Sequence, residues 1–304
     1  MGISPFFATA PVVYDNHSFS KPGIGTQEDI KAITYEDLRE YYEAVYVASN
    51  IHVICVGDVE HDDIVKATIR QYDTMSQRPV TKHMEPLIAC PGSHLGKMNS
   101  GGADINIGFV VPYEGRDHTI ADKVAAMILG ERLHASLRVE HNMVYAIEAN
   151  VDSTSHEYGL NIRTNTNPSQ LEDVLEKIFE NLADTAHNLN DDDLDVYCAN
   201  QEEFLWDVKD NVQFHGNRLS DRVMSNMEYS SPLQDYERAI NISAADVRKS
   251  LVRMLGGKSY MAVAGPLEEL PAIEKYVNKL RLDLGIDGIG ISSNIKEEFN
   301  PKDP

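Results

Sequence analysis

The spacing of apolar and polar residues divides the chain into helical and extended segments. Apolar residues recur at helical spacing at 35–46, 64–72, 121–137 and 171–182, and a longer helical pattern runs from about residue 191 towards 226. The apolar run at 51–56 is typical of a buried strand, and alternation at 105–111, 145–151 and 158–164 predicts half-buried strands. The polar turn at 152–156 favours pairing of the last two strands as an antiparallel hairpin.

Part of this pattern occurs twice. Thr34 and Asp37 form a helix-capping sequence that Ser243 and Asp246 repeat 209 residues later. In both places an apolar helix, a short apolar strand and a glycine follow. We interpret this as a duplicated unit of about 208 residues. Since the first copy ends near residue 72, that copy is incomplete.

The pattern predicts an α+β fold in which helices are layered on a mainly antiparallel sheet. We divide the chain into a trailing part of a first unit at 1–82 and a linker at 83–103. A complete second unit follows at 104–281, with an uncertain start, and a tail at 282–304. We assign the linker and the tail because these segments are rich in glycine, proline and polar residues and their apolar residues follow no clear period.

Composition narrows the possible partners. Apolar residues make up 42% of the chain and charged residues 25%, which is ordinary for a globular protein. The 48 acidic residues exceed the 27 basic ones, so the net charge of −21 disfavours binding to nucleic acid and to anionic membrane surfaces. No apolar run is long enough to span a bilayer, and no secretory signal is evident. Three widely spaced cysteines give no disulfide framework, which favours a cytoplasmic location.

Several short motifs, taken in order, resemble those of a known enzyme family. They are Ile24-Gly25-Thr26, Val56-Gly57-Asp58-Val59, Ile128-Leu129-Gly130, and Arg138 followed seven residues later by Tyr145. This order resembles the pitrilysin/insulinase family of zinc peptidases, which includes mitochondrial processing peptidase, in the part that follows the zinc-binding motif.

The resemblance implies a zinc ion held by an H-x-x-E-H motif and a downstream glutamate, but that motif does not occur in this chain. His134 and His141 are seven residues apart, and the helix that would align them ends near Asn142. His52, in an apolar run, is interpreted as a structural histidine. We therefore predict no metal ligand and no cofactor in this chain, with zinc supplied by a missing part or by a partner.

The resemblance also implies a role for two residues. In the family, the arginine and tyrosine that match Arg138 and Tyr145 help to hold substrate near the zinc. A guanidinium and a phenol can both donate to a peptide carbonyl or to a developing oxyanion. The structural alternative is an arginine at a helix end and a tyrosine packed on a strand. Asn142 stands where the family usually has glycine, and asparagine tolerates positive φ.

Three functions remain open from the sequence. The first is a zinc-lacking, substrate-binding or partner subunit of such a peptidase, in which Arg138 and Tyr145 contribute to a site completed by a zinc-bearing chain or a second copy. The second is a non-catalytic structural or interaction module. The third is a truncated product of a full peptidase. Under the first, the ligand is a peptide or protein. Fold alone does not decide among them.

Overall fold

The computed structural model describes residues 13, 14, 17, 20, 25, 27–80, 88–97, 101–112, 120–153, 157–224 and 229–286. The helices are α1 (Gln27–Ala32), α2 (Tyr35–Val45), α3 (His61–Tyr72), α4 (Ile120–Leu133), α5 (Leu171–Asn188), α6 (Asp191–Val208), α7 (Val212–Met224), α8 (Pro232–Ala239), α9 (Ala244–Leu255) and α10 (Ile273–Asp283). The strands are β1 (Gly92–Lys97), β2 (Ala103–Pro112), β3 (Ile147–Ser153), β4 (Glu157–Thr166) and β5 (Lys258–Gly265).

The five strands form one sheet in the order β1-β5-β2-β4-β3. Only the pairing of β1 with β5 is parallel, and the other three pairings are antiparallel. The predicted hairpin is confirmed as β3 and β4, with Ile147 opposite Thr164 and Val151 opposite Leu160. The α+β fold with a mainly antiparallel sheet is therefore confirmed.

The core lies between the sheet and the helices of one face. Helix α4 packs on β3, and α9 packs on α4 and β2. Alternate strand residues point into this layer, so side chains such as Ile107, Phe109 and Leu160 are fully buried there. The other residues of these strands, such as Asn106 and Asn161, lie on the opposite face of the sheet.

Two of the predicted helices differ from those in the structure. The pattern from 191 towards 226 is not one helix but two, because the chain turns at 209–211 between α6 and α7. Asn211 accepts a hydrogen bond at its Oδ1 from the backbone N–H of Phe214, 2.9 Å away, so it starts a new helix by capping it. The helix predicted at 121–137 changes at Leu133 into a π-helical turn, His134–Glu140.

Residues 51–56 were expected to form a buried strand, and this prediction is wrong. The backbone is extended at Ile51, with φ of −115° and ψ of 129°. No described strand pairs with it, and Val53 is 46% exposed. An apolar run becomes a buried strand only when neighbouring strands complete its hydrogen bonds, and the described residues provide none for this segment.

The stretch predicted as a linker, 83–103, contains a strand. Gly92–Lys97 within it form β1, which pairs in parallel with β5 at the edge of the sheet. Ser93 fixes this strand further, because its hydroxyl donates to the carbonyl of Pro271, 2.9 Å away, at the entrance to α10. Gly92 and Gly96 interrupt the apolar alternation that would have marked a strand.

The two copies of the repeated pattern share their local helices but not their burial. Thr34 caps α2 with a full capping box through Asp37, and Ser243 accepts from the backbone N–H of Asp246 at the start of α9. Helix α9 buries Val247, Leu251 and four other residues, whereas none of the residues of α2 or α3 is buried. The tyrosines at 35, 41, 42 and 46 are between 53% and 72% exposed.

Candidate functional site

Arg138 and Tyr145 meet at one end of the sheet, where β2 begins, β3 begins and β4 ends. Because these strands are antiparallel neighbours, Ala103 lies opposite Thr166 and Ile147 lies opposite Thr164, which brings the three strand ends together. A cavity of about 400 Å³ opens there. It is lined by Gly101, Gly102, Arg138, Asn142, Met143, Val144, Tyr145, Asn165, Thr166 and Asn167.

The turn that carries Arg138 is a π-helical turn ended by a left-handed residue. Wide π turns inside α-helices occur frequently at functional sites. The backbone N–H of Met143 closes the turn by donating to the carbonyl of Leu137, 2.8 Å away. Asn142 has φ of 50°, the one positive φ among the described residues other than glycine. The expectation that asparagine would support this turn in place of glycine is therefore confirmed.

The segment that follows, residues 142–146, is the site loop, and β4 holds it in place. The Oγ1 of Thr166 donates to the carbonyl of Met143, 2.9 Å away. The Oγ1 of Thr164 donates to the carbonyl of Ala146, 2.7 Å away. Val144, between these contacts, is buried in the core. The loop is thus fixed at three points, so its exposed side chains are presented from a rigid backbone.

Arg138 and Tyr145 also contact each other. The guanidinium carbon of Arg138 lies 5.4 Å from the centre of the Tyr145 ring, within the range of a cation–π interaction. Its Nη1 donates to Oδ1 of Asn142, 2.7 Å away. Tyr145 is 82% exposed, so the alternative of a tyrosine packed on a strand does not describe it. The structure brings the two predicted residues into one cavity; what they bind there stays a prediction.

Arg138 is the one charged side chain among the described residues that line the cavity. Arg138 has no carboxylate within 4.0 Å among the described residues, and every other side chain lining the cavity is neutral. By contrast, Arg163, which does not line the cavity, pairs with Asp152 at 2.5 Å and with Glu148 at 3.9 Å. The cavity therefore carries one positive charge on a chain whose net charge is −21.

The sequence reasoning missed the other walls of this cavity. Gly101 and Gly102 lie before β2, and Asn165 donates from Nδ2 to Asp104 at 2.7 Å. A side chain at Gly102 would come within 2.9 Å of the Asn165 amide, so this position needs the space that glycine leaves. The signal in the sequence was a Gly-Gly pair just before an alternating strand, which we had placed in the linker.

The described residues do not fit a zinc site. No group of three or more histidine, cysteine, aspartate or glutamate side chains in the described part of the chain is arranged to hold a metal ion. His134 and His141 are both exposed, and His141 Nδ1 lies 2.9 Å from the carbonyl of Ser136. We derive no chemical step through zinc from this chain, and the prediction that zinc is held elsewhere is still to be tested.

Comparison with known proteins decides the family. The model described as the peptidase M16 inactive domain matches residues 32–200, which is more than half of the chain. The chain belongs to the M16 peptidase family. This is the pitrilysin/insulinase group that the motifs resemble. The matched region runs across the predicted boundary between the two units, so it does not test that division.

Two curated relatives show how distant the similarity is. An uncharacterized zinc protease of Rickettsia felis is 20% identical over 265 residues, which cover 84% of this chain and 63% of the relative. The probable mitochondrial-processing peptidase subunit beta of Arabidopsis thaliana is 30% identical over 109 residues, covering 35% of this chain and 20% of the relative. The chain thus spans less than two thirds of the length of these relatives.

Solved structures confirm the fold. The peptidase M16 inactive domain from Pseudomonas fluorescens superimposes with a TM-score of 0.71 at 16% identity, over 87% of this chain and 66% of that one. A chain of complex III2 from Candida albicans superimposes with a TM-score of 0.75 at 15% identity, over 91% of this chain and 69% of that one. No helix in the described ranges has both the length and the apolar character needed to cross a bilayer.

Proposed function

We propose that this chain is the zinc-lacking, substrate-binding part of an M16-type metallopeptidase, acting as a partner subunit or a fragment. In this function Arg138 and Tyr145 contact a peptide substrate in a site completed by a zinc-bearing chain. The observation that carries the proposal is their placement. Both line one cavity, Tyr145 on the loop fixed by β4 and Arg138 on the turn before it, and their hydrogen-bond donors meet no carboxylate among the described residues.

The chemistry of the two side chains supports this function. A guanidinium and a phenol hydroxyl donate hydrogen bonds to a peptide carbonyl, and they donate more strongly when negative charge develops on its oxygen. Tyr145 is highly exposed on the fixed site loop, which leaves its hydroxyl accessible to a ligand. Neither residue is needed to fill the hydrophobic core, which lies on the other side of the loop.

The test is a reconstituted complex. We expect Arg138→Ala and Tyr145→Phe to lower peptide turnover about 100-fold when the chain is combined with a zinc-bearing M16 chain, as loss of an oxyanion donor does. Thermal stability should change little, because substitutions away from the core usually alter the free energy of unfolding by about 0.5 kcal/mol or less.

Arg163→Gln serves as the control, since this arginine lies on the face of the sheet opposite the core and does not line the cavity. It should leave turnover close to that of the native chain. Unchanged turnover in both site variants, or loss of folding in either, would return Arg138 and Tyr145 to a structural role.

A second function, that of a non-catalytic interaction module, is supported by a different observation. Helices α2 and α3 bury none of their residues within the described part of the chain, and large apolar side chains on them are exposed. Exposed apolar surface of this kind marks a protein–protein contact. Under this proposal the partner is a zinc-bearing chain or a second copy, and variants at Arg138 leave complex formation and function unchanged.

We also propose a cytoplasmic location. Its support is the state of the cysteines: Cys55, Cys90 and Cys198 are all free thiols in the structure. Free, unpaired cysteines are typical of a reducing compartment. Fractionation of cells that express the chain, with a thiol-trapping reagent present during lysis, tests the location and the redox state together.

A further inference from the structure

We propose that the cavity beside the site loop is a carboxylate-binding site, in which Arg138 holds a carboxylate group of the bound peptide. The inference rests on the proposed function and adds the chemical class of the ligand. The carboxylate comes from either the C-terminus of a peptide or an acidic side chain, because both present the same two oxygens.

The guanidinium of Arg138 has one edge without a partner among the described residues, and Arg138 lines the cavity. Its Nη1 is occupied by the Oδ1 of Asn142, 2.7 Å away, and one face lies near the Tyr145 ring. Nε and Nη2 have no partner among the described residues. These two nitrogens form one side of the planar fork, and two parallel hydrogen bonds from such a side are the arrangement that a carboxylate prefers.

Arg138 is held by a neutral group, so its charge is not cancelled. Other arginines of this acidic chain meet carboxylates: Arg132 pairs with Asp193 at 2.7 Å, and Arg253 pairs with Asp122 at 2.6 Å. Arg138 is instead oriented by the neutral amide of Asn142. The side chain is therefore fixed before a ligand binds, while its full positive charge stays available to an anion.

The remaining walls suit an anion as well. The lining contains no acidic side chain, and Asn165 and Asn167 bring neutral amides to the mouth. A side chain added at Gly101 would meet no atom of the described residues within 4 Å, so a ligand has room there. A volume of about 400 Å³ accommodates one carboxylate-bearing residue and the adjacent peptide bond.

The experiment measures binding of four dye-labelled peptides to the full chain by fluorescence anisotropy. All four peptides are based on one sequence without charged side chains. The first pair ends in a free carboxylate or in an amide. The second pair ends in the amide and carries either a glutamate or a glutamine at its centre. We expect one or both carboxylate peptides to bind about tenfold more tightly than their neutral counterparts. The first pair reports a terminal carboxylate, and the second pair reports a side chain.

Variants separate charge from shape. Arg138→Gln should remove the tenfold preference, and Arg138→Lys should keep part of it, because lysine retains the charge but lacks the fork. Asn142→Asp should also remove the preference, since it places a carboxylate of the same shape beside Arg138. Asn142→Gly removes the amide that orients Arg138 but adds no charge, so it should keep part of the preference. Thermal unfolding of each variant verifies that the fold persists.

Arg163→Gln is the matched control and should leave the preference intact. Equal affinity of the native chain for carboxylate and amide peptides would overturn the inference, as would the absence of binding by all four peptides. If Arg138→Gln weakened all four peptides equally, the carboxylate assignment would be wrong, whereas the proposed contact with peptide would stand. Turnover in the reconstituted complex tests that contact separately.

Discussion

At the scale of the residue, the site depends on one backbone conformation. Asn142 adopts φ of 50°, which lets the chain leave the π-helical turn and start the site loop. In this conformation a side chain with a Cβ approaches the backbone closely, and asparagine tolerates the strain better than most residues. The same residue holds Arg138 through its Oδ1, so the turn and the orientation of the guanidinium are coupled.

A pair of substitutions at Asn142 tests this strain. We expect Asn142→Ala to lower the free energy of unfolding by about 1 kcal/mol, because alanine at positive φ carries the full left-handed penalty. Asn142→Gly should be close to neutral, since glycine adopts this conformation freely. Urea unfolding of both variants measures the difference. Equal stability of the alanine and glycine variants would show that the turn does not require a left-handed residue.

The sequence predicted part of this site and missed the rest for a physical reason. The seven-residue spacing of Arg138 and Tyr145 is local, so a motif was enough to find the pair. The residue at 142 was also predictable, because the tolerance of asparagine for positive φ is intrinsic to its side chain. Gly102 and Asn165 join the cavity only through the pairing of β2 with β4, which no local pattern contains.

At the scale of the element, α7 and α8 are joined by a carboxylate shared between arginines. Asp235 on α8 lies 2.5 Å from Arg218 Nη2 and 3.8 Å from Arg222 Nη2, both on α7. Arg218 Nε also donates to the carbonyl of Ser230, 2.9 Å away. Burial acts to raise the pKa of Asp235, but hydrogen bonds from Arg218 and Ser230 outweigh it and hold the pKa below its ordinary value.

This lowered pKa predicts how stability depends on pH. The folded-state pKa lies below the unfolded value of about 3.9, so the stabilisation is fully present above that pH and is lost as pH falls through the folded pKa. Urea unfolding between pH 6 and pH 3 should therefore show a steeper loss of stability for the native chain than for Asp235→Asn. Parallel pH profiles for the two proteins would contradict the assignment.

The boundaries of helices and strands could be predicted only where they depend on neighbouring residues in the sequence. The capping residues could be predicted from the sequence: Thr34 with Asp37 starts α2, and Ser243 with Asp246 starts α9. The break between α6 and α7 was missed because the helical spacing continues across it. Strand β1 was missed because its two glycines weaken the alternation, and its place in the sheet depends on β5, about 165 residues further along the chain.

At the scale of the whole molecule, the two copies of the repeated pattern differ in what surrounds them. In the second copy, the residues of β5 lie between β1 and β2, and the apolar face of α9 is covered by α4. In the first copy, residues 51–56 have no described neighbour strand, and α2 has no described cover. The length of the repeat predicts that the first copy is incomplete, but burial depends on neighbours, which the repeat alone does not supply.

The last prediction concerns association through this surface. Tyr35, Leu38 and Tyr41 are 72%, 59% and 66% exposed. A mainly apolar cavity of about 850 Å³ is lined by residues between 48 and 72 and by Leu219 and Val223 of α7. Apolar area of this extent favours a partner, because covering it releases about 25 cal/mol for each Å² removed from water.

We therefore expect the purified chain to bind a dye that reports exposed apolar surface, and to associate at micromolar concentration in light scattering. Added salt should strengthen self-association, because two copies each carry a net charge of −21 and salt screens their repulsion. Leu38→Glu should reduce both signals several-fold, since a charge there opposes burial. Leu282→Glu is the matched control, because this leucine is 84% exposed on α10 and does not belong to the first copy. A monomer that binds no dye would show that the surface of α2 and α3 needs no partner.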